Sequence, residues 1–352
     1  VYYGKLIELK EEIVVIGAGV IGLSCAYELT QLGAKVTVLE RGDAGAESSW
    51  AGGGILFPLL PWDYGKPVTA LTELSRQRYP GWIDKLRLQS GIDPEYLVSG
   101  MRVLPPYDIA TALAWCGAHG LHAENDDDVL FLPDVAQVRN PRLIKALRRS
   151  LELMGVGIVE HVEVSGFRFD RGRVAGVETN RGDYAADNYI VAAGAWSGTL
   201  LGDLVPKTPI WPVRGQMLLF KAEAGLLPHI LLQDGIYLIP RLDGQILVGS
   251  TLEDVGFDKS ITEDAQVSLL SKAVAMFPPL GQASLIQHWA GLRPGSPDNV
   301  PVIGRHPEIE NLYLNAGHFR YGVTMAPASA ILLANMIAGK AQPIDVAPYA
   351  WR

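Results

Sequence analysis

Gly17, Gly19 and Gly22 stand at the spacing G-x-G-x-x-G, directly after the apolar run Ile13, Val14, Val15 and Ile16 and before a stretch of helical periodicity. Gly17 allows a tight turn, Gly19 lets the backbone approach a pyrophosphate, and Gly22 lets the next helix pack closely on the strand. Val20 and Ile21 then open a helix whose free N–H groups and positive dipole end suit a phosphate. Residues 35–39 read as a second strand ending in Glu40, eighteen residues after Gly22, where a carboxylate can accept from ribose hydroxyls. This reads as a dinucleotide cradle, the alternative being an ordinary strand–turn–helix with a chance acid. A second kind of chemistry sits far along the chain, where Arg293 follows Trp289, Ala290, Gly291 and Leu292. A guanidinium at the end of an apolar strand is costly unless paired, and a bidentate carboxylate satisfies it, from a bound anion or from an internal Asp or Glu. Tyr237, in the run 236–241, is placed to add a hydroxyl to the same anion or simply to pack. His318, beside a glycine turn, reads equally as a ligand-facing or a structural group.

The elements that must position these residues follow from pattern. A chain of 352 residues with 48% hydrophobic and 19% charged residues is globular, and its length suggests two interleaved domains. A net charge of −8 opposes binding to nucleic acid or an anionic membrane, and no apolar run is long enough for a spanning helix. Residues 1–12 begin without Met and carry no signal-peptide core, a pattern compatible with a partly non-native leader that directs no export. Cys25 and Cys116 are too few for a disulfide framework or a thiolate metal site, and Cys25 is expected to be a buried thiol facing a sheet.

In chain order, residues 20–32 form the cradle helix, with Gly33 as its stop. A loop of small residues from Arg41 through Ser48, Ser49, Gly52, Gly53 and Gly54 admits close approach of a flat or charged ligand. Residues 58–132 mix helical stretches with Pro-rich turns, and the acidic run 124–128 reads as a solvated loop. Asn140 is a good N-cap and Pro141 a good first position for a helix carrying Leu143, Ile144, Leu147, Leu151 and Met154, ended by Gly155. A strand at 157–160 and a small β-meander over 167–187 lead to a buried strand that breaks into Ala192, Ala193 and Gly194, where a ligand lies in a parallel sheet. Strands at 211–220, 236–250 and 284–292 suit an antiparallel sheet, with a helix over 262–277. A strand at 311–315 and a helix over 323–337 close the chain. The fold class expected is α/β, with a Rossmann-like dinucleotide-binding domain and a second, mainly antiparallel-sheet substrate domain. The boundaries expected are 11–60, 140–205 and 305–340 for the first, and 61–139 and 206–304 for the second.

A second glycine cradle is absent, as are the zinc motif H-E-x-x-H, C-x-x-C and the G-x-S-x-G elbow, so one dinucleotide and no zinc or serine hydrolysis is expected. Gly291, Leu292, Arg293, Pro294 and Gly295 with Asp298 and residues 301–304, and Ala316, Gly317, His318, Phe319, Arg320, Tyr321 and Gly322 before the last helix, together resemble the D-amino acid oxidase superfamily of FAD-dependent amine oxidases. Within it they are most similar to the glycine oxidase family, over residues 13–339.

The resemblance implies a non-covalent FAD, since the cysteine that carries covalent flavin in some relatives is missing near Arg293. It places the adenosine ribose on Glu40 with Arg41 beside it, the adenine at Val164, and the pyrophosphate on Val20, Ile21, Ser48 and Ser49. The flavin ring falls against Gly53, Gly54 and Ile55, and its pyrimidine end at His318, Phe319, Arg320, Tyr321, Gly322, Val323 and Thr324. Arg293 clamps a substrate carboxylate, Tyr237 bonds to it and Arg320 lines the same pocket; these three are the implied catalytic residues. Where glycine oxidases have a histidine two residues before the pocket tyrosine, this chain has Gly235, which bears on substrate preference. The implied reaction is oxidative deamination of glycine, sarcosine or small D-amino acids, with O2 reduced to H2O2. The implied setting is a cytoplasmic homo-oligomer, a homotetramer by the family's pattern, linked to thiamine biosynthesis, with neither nucleic acid nor membrane as partner. The alternatives are a D-amino acid or sarcosine oxidase or dehydrogenase of the same superfamily and, more distantly, a non-catalytic FAD-binding protein.

Overall fold

Near-continuous apolar strands belong inside a parallel sheet covered on both faces, and the cradle strand, buried from Ile13 to Ile16, is one. The computed structural model describes residues 9–204 and 209–351. In it Glu12–Ile16 lies between Lys35–Leu39 and Asn188–Val191, parallel to both. The sheet runs in the order Val302–Arg305, Leu312–Ala316, Asn188–Val191, Glu12–Ile16, Lys35–Leu39, Gly157–Val159, and only the edge strand Val302–Arg305 is antiparallel. The cradle helix Val20–Gln31 packs against the sheet and against the last helix, Gly322–Ile337. Cys25 is buried on that face, its Sγ accepting from Asn315 Nδ2 at 3.1 Å, and burial pushes its thiol up to about 12. The first eight residues and the boundary expected at 205–206 lie outside the described residues.

The second sheet has eight strands in the order Ser284–Gly295, Trp211–Lys221, Gln245–Gly249, Ile236–Pro240, Ile230–Gln233, Met101–Val103, Val129–Leu132, Glu124–Asp126. All its pairs are antiparallel except Ile230–Gln233 with Met101–Val103. Side chains alternate across it. Leu218, Phe220, Leu238, Ile246 and Val248 face the helix Glu263–Met276 and pack on its Leu269 and Ala273. The opposite face carries Met217, Tyr237, Ile239 and Arg293 and looks toward the first sheet. The architecture is thus α/β with a mainly antiparallel second sheet.

Several local expectations are corrected. Residues 58–132 mix helices with Pro-containing turns as expected, but one of those helices, Lys66–Ser90, runs for 25 residues with Pro80 inside it. A continuous buried stripe of Val68, Leu71, Ser75, Tyr79, Trp82 and Leu86 outweighs the local cost of the proline. This helix packs on Gly322–Ile337 and on Asn140–Leu153. Asn140 is not the N-cap of its helix: Arg139 occupies that position, held by Glu95 and Asp243, and the Asn140 amide instead donates to Ser49 O at 2.9 Å. The meander reduces to one hairpin, Val164–Asp170 with Arg173–Thr179, followed by isolated bridges at Val177 with Tyr184 and Asn180 with Gly182. The acidic run is exposed, but Glu124–Asp126 pairs as the edge strand of the second sheet rather than forming a loop. No helix among the described residues is long and apolar enough to cross a membrane.

Candidate functional site

The turn after the cradle strand has the geometry its glycines require. Gly17 has φ +107°, and a Cβ there would stand 2.5 Å from Ala192 O. A Cβ on Gly22 would overlap Gly17 O, so the helix sits on the strand with no room for a methyl group. The helix Val20–Gln31 has no acid in its first turn, and Gly19, Val20 and Ile21 line the cavity, so its positive end is presented there. Ser49, on the short helix Ser48–Ala51 that forms within the expected loop, accepts from Val20 N at 2.8 Å. The Glu40 carboxylate is oriented by two backbone donors, Ala18 N at 2.8 Å and Gly42 N at 3.0 Å. The Arg41 guanidinium sits over the Trp196 ring, its Cζ 3.6 Å from the ring centroid, and reaches Glu47.

One cavity of about 410 Å³ connects this end to the face of the second sheet. Of the residues singled out above, Gly17, Gly19, Val20, Ile21, Glu40, Arg41, Ser48, Ser49, Gly53, Gly54, Ile55 and Val164 line it, as do His318, Phe319, Arg320, Tyr321, Gly322, Val323, Tyr237 and Arg293. Gly22 lies behind the cradle, and Thr324 sits off the wall, donating to Ile55 O at 3.0 Å and so tying the last helix to the glycine loop. Gly235 is in the hairpin turn between Ile230–Gln233 and Ile236–Pro240, with nothing within 4 Å of its Cβ position. It does not line the cavity.

The far end is built by sheet register. Val213 pairs with Arg293, and Gly215 with Gly291, so the Arg293 side chain lies diagonally across Gly215. A Cβ on Gly215 would overlap the guanidinium. Met217 and Tyr237 both pair with Gly249, and the missing side chain there lets the Tyr237 ring lie across the sheet with its hydroxyl 4.0 Å from Met217 Sδ. Three glycines thus form a floor between Arg293, Met217 and Tyr237. Arg293 Nη2 donates to Ser250 Oγ at 2.6 Å and Nη1 to Thr251 O at 3.2 Å, and no ion pair engages it among the described residues. Burial pulls its guanidinium down from the usual range, the Tyr237 hydroxyl opposes that, and Arg320 adds to it. The internal salt bridge that would have explained Arg293 without a ligand is therefore not formed.

His318 is 1% exposed, with Nε2 2.9 Å from Ser329 Oγ. Burial lowers its pKa to about 3, so the ring is neutral at physiological pH. Its Nδ1, Asn315 Oδ1 and Asn140 Oδ1 are buried polar atoms with no protein partner among the described residues. Sequence reasoning missed Asn140, Gly215, Phe57 and Leu59 as lining residues. Only Asn140 carried a signal, and that signal was spent on a cap.

The FAD dependent oxidoreductase family profile matches residues 12–336. Glycine oxidase of Pseudomonas aeruginosa is 45% identical, over 97% of this chain and 99% of that protein. Glycine oxidase of Pseudomonas putida is also 45% identical, over 97% and 98%. The crystal structure of glycine oxidase from Geobacillus kaustophilus superposes with a TM-score of 0.92 at 25% identity, covering 97% of this chain and 98% of that one. The long cavity, the glycine cradle at one end and the unpaired guanidinium at the other are thus those of a chain that belongs to the FAD dependent oxidoreductase family.

Proposed function

We propose that this protein oxidatively deaminates glycine and small amines such as sarcosine and D-alanine to the imine and then the 2-oxo acid, with FAD held non-covalently and O2 reduced to H2O2. The observation that carries this reading is Arg293: a guanidinium facing the cavity with no ion-pair partner among the described residues, beside a tyrosine hydroxyl. The glycine cradle, which a Cβ at Gly17 or Gly22 would fill, fits the close approach of a dinucleotide such as FAD. Glu40 would hold the adenosine ribose, with Arg41 beside it and Val164 toward the adenine. Val20, Ile21, Ser48 and Ser49 would meet the pyrophosphate, and Gly53, Gly54 and Ile55 the flavin ring. Residues 318–324 would meet its pyrimidine end. Neither Cys25 nor Cys116 lines the cavity, in keeping with a non-covalent cofactor. The segments 11–60, 140–205 and 305–340 form the cofactor domain in this reading, and 61–139 with 206–304 the substrate domain.

When bound, FAD supplies the two-electron acceptor for the hydride that leaves the substrate α-carbon. The chain's own residues supply position. Arg293 takes the carboxylate in a fork and Tyr237 adds a hydroxyl donor, which fixes the α-carbon toward Gly53 and Gly54. Arg320 lines the same end and adds positive potential for an anionic substrate. Met217 and the Tyr237 ring wall the site against larger side chains. The amine loses its proton before reaction, so no side-chain base is required of the cavity.

The reading is tested with a panel of glycine, sarcosine, D-alanine and D-proline read by H2O2 yield. Close to one H2O2 per substrate consumed supports an oxidase; turnover only with an added quinone acceptor supports a dehydrogenase instead. A specific consequence concerns Gly215. Gly215→Ala displaces the guanidinium rather than the backbone, so KM for glycine should rise about tenfold or more while Tm and flavin content stay near wild type. An unchanged KM would show that Arg293 does not hold the substrate from its observed position.

A further inference from the structure

Two arginines are almost wholly buried among the described residues, Arg214 at 5% and Arg241 at 6% exposed. Arg214 is ion-paired with Glu253 and Asp258. Arg241 has no ion pair among the described residues. It follows the strand Ile236–Pro240 and its fork grips neutral acceptors: Nη1 donates to Gln137 Oε1 at 2.6 Å and Val138 O at 3.0 Å, and Nη2 donates to Gly53 O at 2.6 Å. Its Nε is buried without a partner among the described residues. Glu95 and Asp243 favour its charge, but both are ion-paired with Arg139, whose own charge opposes it. Burial brings the guanidinium down to about 10, which leaves it protonated at neutral pH. A pin for three carbonyl oxygens needs donors, not a charge, and an uncompensated buried charge is expensive to keep.

What Arg241 grips gives the charge a use. Gly53 lines the cavity and Arg241 does not. The next residue is held as well: Gly54 O accepts from Val138 N at 2.9 Å, and a Cβ on Gly54 would overlap Val138 O. In a planar trans peptide the N–H opposes the C=O, so with Gly53 O turned to Arg241 the Gly54 N–H points away from it. That N–H makes no hydrogen bond among the described residues. We propose that Arg241 is a positioning residue of the cofactor site: through Gly53 O it fixes the Gly53–Gly54 peptide against the flavin ring and sets a positive charge behind it. It thereby tightens FAD binding and favours the negatively charged reduced flavin. The proposal rests on the placement of the ring at Gly53, Gly54 and Ile55 given above.

The test uses the purified flavoprotein and its Arg241→Met and Arg241→Lys variants. FAD dissociation constants are measured by fluorescence on reconstituting the apoprotein, midpoint potentials by dye equilibration, and Tm by unfolding of the apoprotein. Arg241→Met should weaken FAD binding at least tenfold and shift the midpoint potential to more negative values. Arg241→Lys keeps the charge but loses the fork, so its affinity should fall while its potential stays within error of wild type. A Met variant with wild-type FAD affinity and potential, whatever its Tm, overturns the proposal and leaves Arg241 a structural pin. If the Met variant does not fold, the Lys variant decides: unchanged FAD affinity there overturns it equally. Failure of the wild-type protein to bind FAD would overturn the reading of the cavity itself, a result distinct from either variant outcome.

Discussion

Replacing Arg293 by Ala should raise KM for glycine about a hundredfold or more and leave FAD bound. Losing a charge-assisted fork to a carboxylate costs about 3 kcal/mol, and each 1.4 kcal/mol is about tenfold. The flavin should stay because Arg293 lies on the second sheet, at the end of the cavity away from the glycine cradle. Arg293→Lys should fall between, since an ammonium supplies the charge without the planar fork. Steady-state kinetics on variants with a full complement of flavin checks this. A KM within about threefold of wild type for Arg293→Ala would remove the guanidinium from substrate binding.

Gly22→Ala should act at the opposite end and on the cofactor. Its Cβ would overlap Gly17 O and stand 3.3 Å from Val15 Cγ1, both parts of the packed strand and turn. The helix must move off the strand, and overpacking of this kind costs about 1–3 kcal/mol. The N–H groups at the start of the helix move with it, so FAD affinity should fall at least about tenfold along with a lower Tm. Gly157→Ala is the control, because no atom of the described residues lies within 4 Å of its Cβ position on the edge strand Gly157–Val159. Equal FAD affinity in the Gly22→Ala, Gly157→Ala and wild-type proteins would mean that this helix start does not hold the phosphates.

The cradle was legible because everything it needs is local: a strand, a turn and a helix within 20 residues, with Glu40 closing the second strand. The same holds for the helix Glu263–Met276, where Thr262 caps as its residue type suggests. What was not legible depends on register between distant strands. That Gly215 makes room for Arg293 is decided by a pairing across nearly 80 residues, and no periodicity in either strand marks it. Asn140 and Arg241 were hidden for a related reason. One carries the residue type of a cap and the other that of a surface cation, and tertiary contacts with Ser49 and Gly53 claim both. Pro80 shows the converse, a local breaker overruled by the stripe that the helix Lys66–Ser90 buries.

The central claim is that the cavity holds FAD and a small amino acid together, with the α-carbon presented to the flavin. Anaerobic mixing of the oxidised flavoprotein with glycine tests it in one step. The visible flavin band should bleach, and readmitted O2 should restore it with release of H2O2. A flavoprotein whose spectrum is unchanged by saturating glycine, sarcosine and D-alanine would contradict the account.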